Sequence, residues 1–185
     1  MKKFLAMATA LALGAVLAAC SGTGTQKTAG ETIDDATLTA KVKAALIDNE
    51  STKARDINVE TYRGTVQLGG FVESDQEKQA AGQVAQGVAG VKEVRNALEV
   101  RSQVASRSAG EVVDDGVVTA RVKAALTADP STRARQINVE TRQGVVQLSG
   151  FVDSSQEKER AAQIARETSG VQSVRNDLEV KQPAQ

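Results

Sequence analysis

The most constraining feature of this chain is an internal duplication. Residues 34–101 (copy one) recur as residues 114–181 (copy two) at a constant offset of 80, without insertion or deletion, and 40 of the 68 aligned positions are identical. Repeat units of solenoids and propellers span roughly 20–50 residues and bury a core only by stacking. A unit of 68 residues can fold alone, although a domain near this size buries only about 60% of its unfolded surface. The sequence therefore predicts one small, modestly stable domain built twice.

The first 20 residues predict export and processing rather than a folded element. Lys2 and Lys3 precede an uncharged apolar run over residues 4–19, which ends in Leu-Ala-Ala-Cys. This layout is typical of a secretory signal peptide, predicted here as residues 1–19, and the run is short for a transmembrane helix, which needs about 20 apolar residues. The last four residues resemble the bacterial lipobox. In that class of signals Cys20 is lipidated and becomes the first residue of the mature protein.

Lipidation at Cys20 also predicts where the protein resides. Acyl chains contribute about 0.8 kcal/mol per buried CH2, so a multiply acylated cysteine holds a soluble domain on a membrane. Ser21 follows the cysteine where Asp would signal retention in the inner membrane, which points to an outer-membrane anchor facing the periplasm. The alternative is an ordinary cleaved signal with a cysteine nearby. Because Cys20 is the only cysteine, no disulfide is available to staple the fold.

Three segments outside the copies lack apolar periodicity. Residues 20–33 are rich in Gly, Ser and Thr and predict a lipidated N-terminus followed by a flexible tether. Residues 102–113 predict a linker of small and polar residues between the copies, and residues 182–185 a short tail. The two copies are therefore predicted as separate domains on one chain.

Within each copy the pattern predicts helix, strand, strand, helix, strand. A first helix opens at a pair of aspartates, Asp34–Asp35 or Asp114–Asp115, which we expect to cap it and to favour its dipole. Two alternating runs on either side of Gly64 or Gly144 predict a hairpin. An alanine-rich helix and a final strand over 94–100 or 174–180 complete the unit. The predicted fold class is α+β, with two helices on one face of a small mixed three-stranded sheet.

Three glycines in each copy are predicted to have structural roles. The first supplies the positive φ of the hairpin turn. The second interrupts a strand and predicts a bulge or a close approach by the following helix. The third is expected in the C-cap position of the second helix. In chain order they are Gly64, Gly70 and Gly90 in copy one, and Gly144, Gly150 and Gly170 in copy two.

These residues resemble a known family. Each copy is similar to the BON domain of bacterial envelope proteins, through G-x-V-x-L-x-G-x-V at 64–72 and 144–152 and G-V-x-x-V-x-N at 90–96 and 170–176. The resemblance implies a non-enzymatic role in outer-membrane integrity and osmotic stress tolerance. It also implies binding of anionic phospholipid, which in a lipoprotein member of the family maps to the first helix of the second copy, here residues 116–127.

Composition disfavours catalysis. The chain has no histidine, no tryptophan and a single cysteine, which removes the commonest general base, the thiolate nucleophiles and the usual soft metal ligands. Adjacent aspartates at a helix start are far more often caps than a metal site. We therefore expect no enzyme activity, no cofactor, no metal and no small-molecule substrate. The formal net charge of zero and the lack of an aromatic stacking platform also disfavour nucleic acid.

Basic residues on the first predicted helix of each copy are the candidate binding residues. On a helical wheel Lys41 and Lys43 lie about 100° to either side of Val42, flanking the apolar stripe. Such side chains suit an anionic bilayer surface, and the alternative is a solvated rim around a helix docked on its own core. Val117, with Ile47 in copy one, is an apolar residue off the core stripe. The candidate lipid-binding set is Val117, Val118, Arg121, Lys123, Lys41 and Lys43.

A rival hypothesis is a protein-interaction adaptor. In this hypothesis an exposed sheet edge, or the sheet faces that carry Phe71 and Phe151, recruits other envelope proteins, and the lipid anchor only localises the protein.

Overall fold

Both copies form the predicted order of helices and strands. The computed structural model describes residues 29–52, 56–101, 114–132 and 136–182. Copy one contains α1 Ala29–Asp48, β1 Ile57–Tyr62, β2 Thr65–Val72, α2 Asp75–Gln86, β3 Glu93–Asn96 and β4 Glu99–Val100. Copy two contains α3 Asp115–Ala128, β5 Ile137–Arg142, β6 Val145–Val152, α4 Ser155–Glu167 and β7 Ser173–Val180. The α+β prediction is confirmed.

Each copy has one small mixed sheet, and the second strand of its hairpin, β2 or β6, lies in the centre. β1 pairs antiparallel with β2, and β5 pairs with β6 in the same register. β2 then pairs in parallel with β3 and, further along, with β4, whereas β6 pairs with the uninterrupted β7. The predicted last strand of copy one is thus divided at Ala97–Leu98, while that of copy two is continuous.

The helices of each copy cover one face of its own sheet. Val42 and Leu46 of α1 are fully buried against Val66 and Leu68 of β2. The second copy repeats this arrangement with Val122, Leu126, Val146 and Leu148. Burying one such side chain stabilises the fold by about 1.5–3 kcal/mol. Since each copy has its own core cluster, the copies are two domains rather than two halves of one.

The opposite faces of the two sheets pack against each other. Phe71 of β2 is buried with Val145 of β6, and the Tyr62 and Phe151 rings lie with their centroids 5.5 Å apart. Sequence alternation places these side chains on the sheet faces that the helices leave uncovered. The molecule is therefore a four-layer sandwich in the order helix, sheet, sheet, helix, and the helices of the two copies lie on opposite outer faces.

Two buried glutamines hold the sheets together by reciprocal hydrogen bonds. Gln147, only 1% exposed, accepts from the backbone N–H of Gly70 at 2.7 Å and donates to the carbonyl oxygen of Ala97 at 2.6 Å. The equivalent bonds join Gln67, 2% exposed, to Gly150 and Asp177. At the margin Asn58 donates to Glu140 at 3.1 Å and Asn138 to Glu60 at 2.9 Å. Equivalent residues exchange equivalent bonds, so the interface has pseudo-two-fold symmetry.

The helix start in copy one differs from the prediction. α1 begins at Ala29, so residues 29–33, predicted as the end of a flexible tether, are helical, and Asp34 and Asp35 lie inside the helix instead of capping it. Once nucleated, a helix extends by one hydrogen bond per residue until something stops it, and no proline stands here. In copy two the prediction is confirmed, because Asp114 is the N-cap and accepts from the Gly116 N–H at 2.8 Å.

All six predicted glycines have positive φ, but two of the three predicted roles are wrong. A Cβ on Gly70 or Gly150 would collide with the carbonyl oxygen of Asp56 or Gln136. The close approach is therefore made by the backbone that leads into the first strand, not by the following helix. Gly87, not Gly90, is the C-cap of α2, and Thr168, not Gly170, caps α4. Gly90 and Gly170 lie in the loops that follow.

Candidate lipid-facing surface

The four predicted basic residues all lie on the exposed sides of the first helices. Lys41 and Lys43 on α1, and Arg121 and Lys123 on α3, are exposed on either side of a fully buried valine. The helices therefore orient these four residues as the helical wheel predicts. Arg121 also donates to the carbonyl oxygen of Ser169 at 3.3 Å, which holds it near the loop after α4.

The two apolar residues predicted as lipid contacts in copy two differ in their exposure to solvent. Val117 is 42% exposed, whereas Val118 is fully buried in the core of copy two. The prediction of Val118 as a lipid contact is wrong, because its side chain already packs against the protein. Val117 stands one helical turn from Arg121, and in copy one Ile47, 71% exposed, stands one turn from Lys43. Each first helix thus presents an apolar side chain next to a basic one.

The second aspartate of each pair has a structural role that the sequence did not reveal. Asp35 accepts from the backbone N–H groups of Arg63 at 2.7 Å and Gly64 at 2.9 Å. Asp115 makes the same two bonds to Gln143 and Gly144. Arg63 and Gln143 both have positive φ, which is uncommon outside glycine. The carboxylate therefore ties the hairpin turn to the first helix. In the sequence, the only sign of this role is that each copy has an aspartate 28 residues before the first residue of its turn.

The charged pair of Arg160 and Asp129 in copy two has no equivalent residues in copy one. Arg160 on α4 donates through Nη2 to Asp129 at 2.6 Å, and the Ser131 N–H donates to the same carboxylate at 2.8 Å. The hydrogen bond from Arg160, reinforced by that from Ser131, lowers the pKa of Asp129 below its ordinary value. Copy one has Asn49 and Ala80 at these positions, so the loop after its first helix lacks this pair.

Several predicted features have a defined place relative to the described residues. Phe71 and Phe151 are buried between the sheets, so the rival hypothesis of recruitment through their faces loses its surface. Cys20, the signal peptide and the linker at 102–113 lie outside the described residues. Within the ranges that are described, no helix combines the length and apolarity needed to cross a membrane, and no three potential metal ligands are grouped together.

Comparison with known proteins agrees with this architecture. The BON domain model matches residues 34–102 and 114–182. This chain belongs to the BON-domain family. It is 45% identical over 152 residues to osmotically-inducible protein Y of Escherichia coli, an alignment that covers 82% of this chain and 75% of that protein. The BON domains are thus arranged in tandem, with one matched region in each copy.

Two further relatives align with most of this chain. The outer membrane lipoprotein DolP of Haemophilus influenzae is 34% identical over 172 residues, which cover 92% of this chain and 87% of DolP. The 21 kDa hemolysin of Actinobacillus pleuropneumoniae is 30% identical over 149 residues, which cover 80% of this chain and 75% of that protein. The similarity therefore spans both BON domains and not a single copy.

Proposed function

We propose that this protein is a non-catalytic, membrane-tethered periplasmic binding protein that engages anionic phospholipid and supports outer-membrane integrity under osmotic stress. The observation that carries the proposal is the exposed apolar side chain beside a basic one on each first helix, Ile47 with Lys43 and Val117 with Arg121. The names of two relatives, an osmotically inducible protein and an outer membrane lipoprotein, support the compartment and the stress role.

The energetics of such a contact explain why a tether is useful. Burying one Val or Ile side chain is worth about 1.5–3 kcal/mol, and one basic side chain near an anionic surface about 1 kcal/mol. Together these give about 2.5–4 kcal/mol, which corresponds to a dissociation constant no tighter than roughly millimolar. A lipid group on Cys20 raises the effective concentration of the domains at the bilayer and makes a contact of this strength sufficient.

The four-layer fold limits how the contact is made. α1 and α3 lie on opposite outer faces, because the uncovered faces of both sheets are used for docking. A flat bilayer therefore meets the helix face of one copy at a time. The sheet faces, which would otherwise offer Phe71 and Phe151, are not available to a partner while the copies are docked.

Lipid engagement is tested with the chain that begins at Ser21, so that binding does not depend on acylation. We expect it to co-sediment with vesicles that contain phosphatidylglycerol, more weakly as salt is raised, and not with phosphatidylcholine alone. Equal binding to both vesicle types, or to neither, overturns the lipid part of the proposal.

Tethering is tested separately in cells with Cys20→Ser. We expect the wild-type protein to incorporate labelled palmitate and to fractionate with the outer membrane, and the variant to lose both properties. An unlabelled wild-type protein overturns the tether and leaves the vesicle result standing on its own.

A further inference from the structure

A cleft in copy one gathers three cationic side chains from three different segments. It has a volume of about 340 Å³ and lies between the middle of α1, the β1–β2 turn and the loop before β3. Lys41, Arg63 and Lys92 line it, with Leu38 and Gly90 among its apolar and backbone surface. A volume of this size is within the range of small-molecule sites, which begin near 300 Å³.

The fold fixes the positions of these cations. The turn that carries Arg63 is held by Asp35, and the Arg63 guanidinium lies 5.6 Å from the centroid of the Tyr62 ring. The backbone N–H of Lys92 donates to the Gly64 carbonyl oxygen at 2.9 Å, and the Lys92 stem passes over Gly64, where a Cβ would come within 3.1 Å of it. The missing side chain at Gly64 therefore allows Lys92 to lie against the turn.

The acidic residues that line the cleft offset its positive charge only in part. Asp35 is 5% exposed and its two oxygens accept hydrogen bonds from backbone N–H groups of the turn. Among the described residues, Asp34 is the other carboxylate that lines the cleft. Among the described residues, no ion pair is made by Lys41 or Lys92. Among the described residues that line the cleft, the cationic side chains therefore outnumber the carboxylates by three to two.

Copy two provides a natural comparison with the same backbone. Its corresponding positions carry Arg121, Gln143 and Gln172, so two of the three cations are replaced by neutral glutamines, while both aspartates remain. The turn residues again have positive φ, and the Gln172 stem passes over Gly144 as Lys92 does over Gly64. The charge of the cleft is therefore a property of copy one and not a requirement of the BON fold.

We propose that the copy-one cleft binds a phosphate-bearing group through Lys41, Arg63 and Lys92. Converging Lys and Arg side chains are the usual means of holding phosphate oxygens, with the planar Arg fork giving direction and the lysines giving charge. A lipid headgroup and a small soluble phosphate ester present the same chemistry. Where the phosphate belongs to a lipid, the inference rests on the function proposed above and assigns its headgroup contact to copy one.

The decisive variant replaces Arg63 and Lys92 by the residues that copy two already carries. Because Gln143 and Gln172 occupy the same backbone positions, Arg63→Gln with Lys92→Gln is expected to fold normally, which thermal unfolding checks. The matched variant Lys158→Gln with Arg166→Gln removes two positive charges from α4 of copy two, outside the cleft and outside the candidate lipid-binding set. The reverse exchange, Gln143→Arg with Gln172→Lys, is expected to create a second site.

Two ligands separate the sources of the phosphate. Vesicles containing phosphatidylglycerol present it on a bilayer, and glycerol 3-phosphate presents it in solution, with binding followed by calorimetry and by the amide NMR shifts of Gly64 and Gly90. For the ligand that binds, we expect Arg63→Gln with Lys92→Gln to weaken binding on the order of 10- to 30-fold. The matched variant is expected to change it less than threefold.

Each outcome bears on the proposal. If Arg63→Gln with Lys92→Gln weakens vesicle binding alone, the site is assigned to a lipid headgroup. If that variant weakens glycerol 3-phosphate binding, the site is assigned to a soluble ester. If vesicles bind but both double variants weaken binding equally, or only the copy-two variant does, the cleft is overturned while lipid engagement stands. If neither ligand binds the wild-type chain, both the cleft and lipid engagement are overturned.

Discussion

When copy one is compared with copy two, one region of the molecule keeps the same functional residues and another does not. At the docked sheet faces the hydrogen-bonding residues are the same in both copies, as with Gln67 and Gln147 or Asn58 and Asn138. Around the cleft they differ, with Arg63 and Lys92 facing Gln143 and Gln172. A pseudo-symmetric interface needs its chemistry from both partners, whereas a ligand needs a site in only one. The difference shows where the duplicated chain can specialise without losing its architecture.

The largest expected effect comes from removing one side of the symmetric interface. Gln147→Ala leaves the buried N–H of Gly70 and the carbonyl of Ala97 without their partner, and each such group costs about 1–3 kcal/mol. We expect the free energy of unfolding in urea to fall by about 2–4 kcal/mol, with faster hydrogen exchange at Gly70. The exposed Gln83→Ala on α2 is the control, and a similar loss there would contradict the role of Gln147.

The next effect concerns an interface position at which the two copies carry different residues. Gly69 faces Ser149, and a Cβ at Gly69 would lie 2.8 Å from the Ser149 Cβ. Gly69→Ser, which copies the residue of the other copy, should overpack the interface and cost about 1–3 kcal/mol. Adding Ser149→Gly moves the serine across the pseudo-two-fold axis and should restore most of the loss. Thermal unfolding of the two single variants and the double variant gives the coupling directly, and strict additivity would contradict the contact.

A smaller effect separates the two hairpin turns. Asp35 is buried while its counterpart Asp115 is half-buried, although each accepts two backbone N–H groups at the same distances. Hydrogen bonds to a charged group are worth about 1.5–3 kcal/mol and less where water competes. We expect Asp35→Ala to lower the free energy of unfolding by about 2 kcal/mol and Asp115→Ala by about 1 kcal/mol. The reverse order would show that burial does not set the strength of this bond.

The smallest expected effect is a dependence on pH confined to copy two. Because Arg160 lowers the pKa of Asp129, the stabilisation from this carboxylate is present above its unfolded pKa and is lost as pH falls through the lower folded value. Arg160→Ala should raise the Asp129 pKa, measured by NMR titration of its carboxyl carbon. It should also flatten the acid limb of the unfolding curve. An unchanged pKa in Arg160→Ala would remove the arginine as the cause.

Particular elements show how far local patterns reach. Alternation around Gly64 and Gly144 predicted both hairpins, because turn residues act through their own backbone. The start of α1 was missed, since nothing in residues 29–33 forbids helix and the choice depends on propagation from the packed segment. Of the candidate site, the exposed basic residues could be placed from helical periodicity. The same periodicity places Val118 in the core, because it lies four residues before the buried Val122, so its inclusion among the lipid contacts was wrong.

The sequence by itself determined that there are two copies and that each is a small α+β unit, since these follow from repeat spacing and from hydrophobic periods of 2 and 3.6. Its glycine-containing motifs indicated the BON type by resemblance. Only the tertiary structure decided that the sheets dock through Gln67 and Gln147. It also decided that Phe71 and Phe151 are hidden and that Lys41, Arg63 and Lys92 meet in one cleft. Those residues are far apart in the chain and carry no period, so their relation exists only after the backbone has brought three segments, or two domains, together.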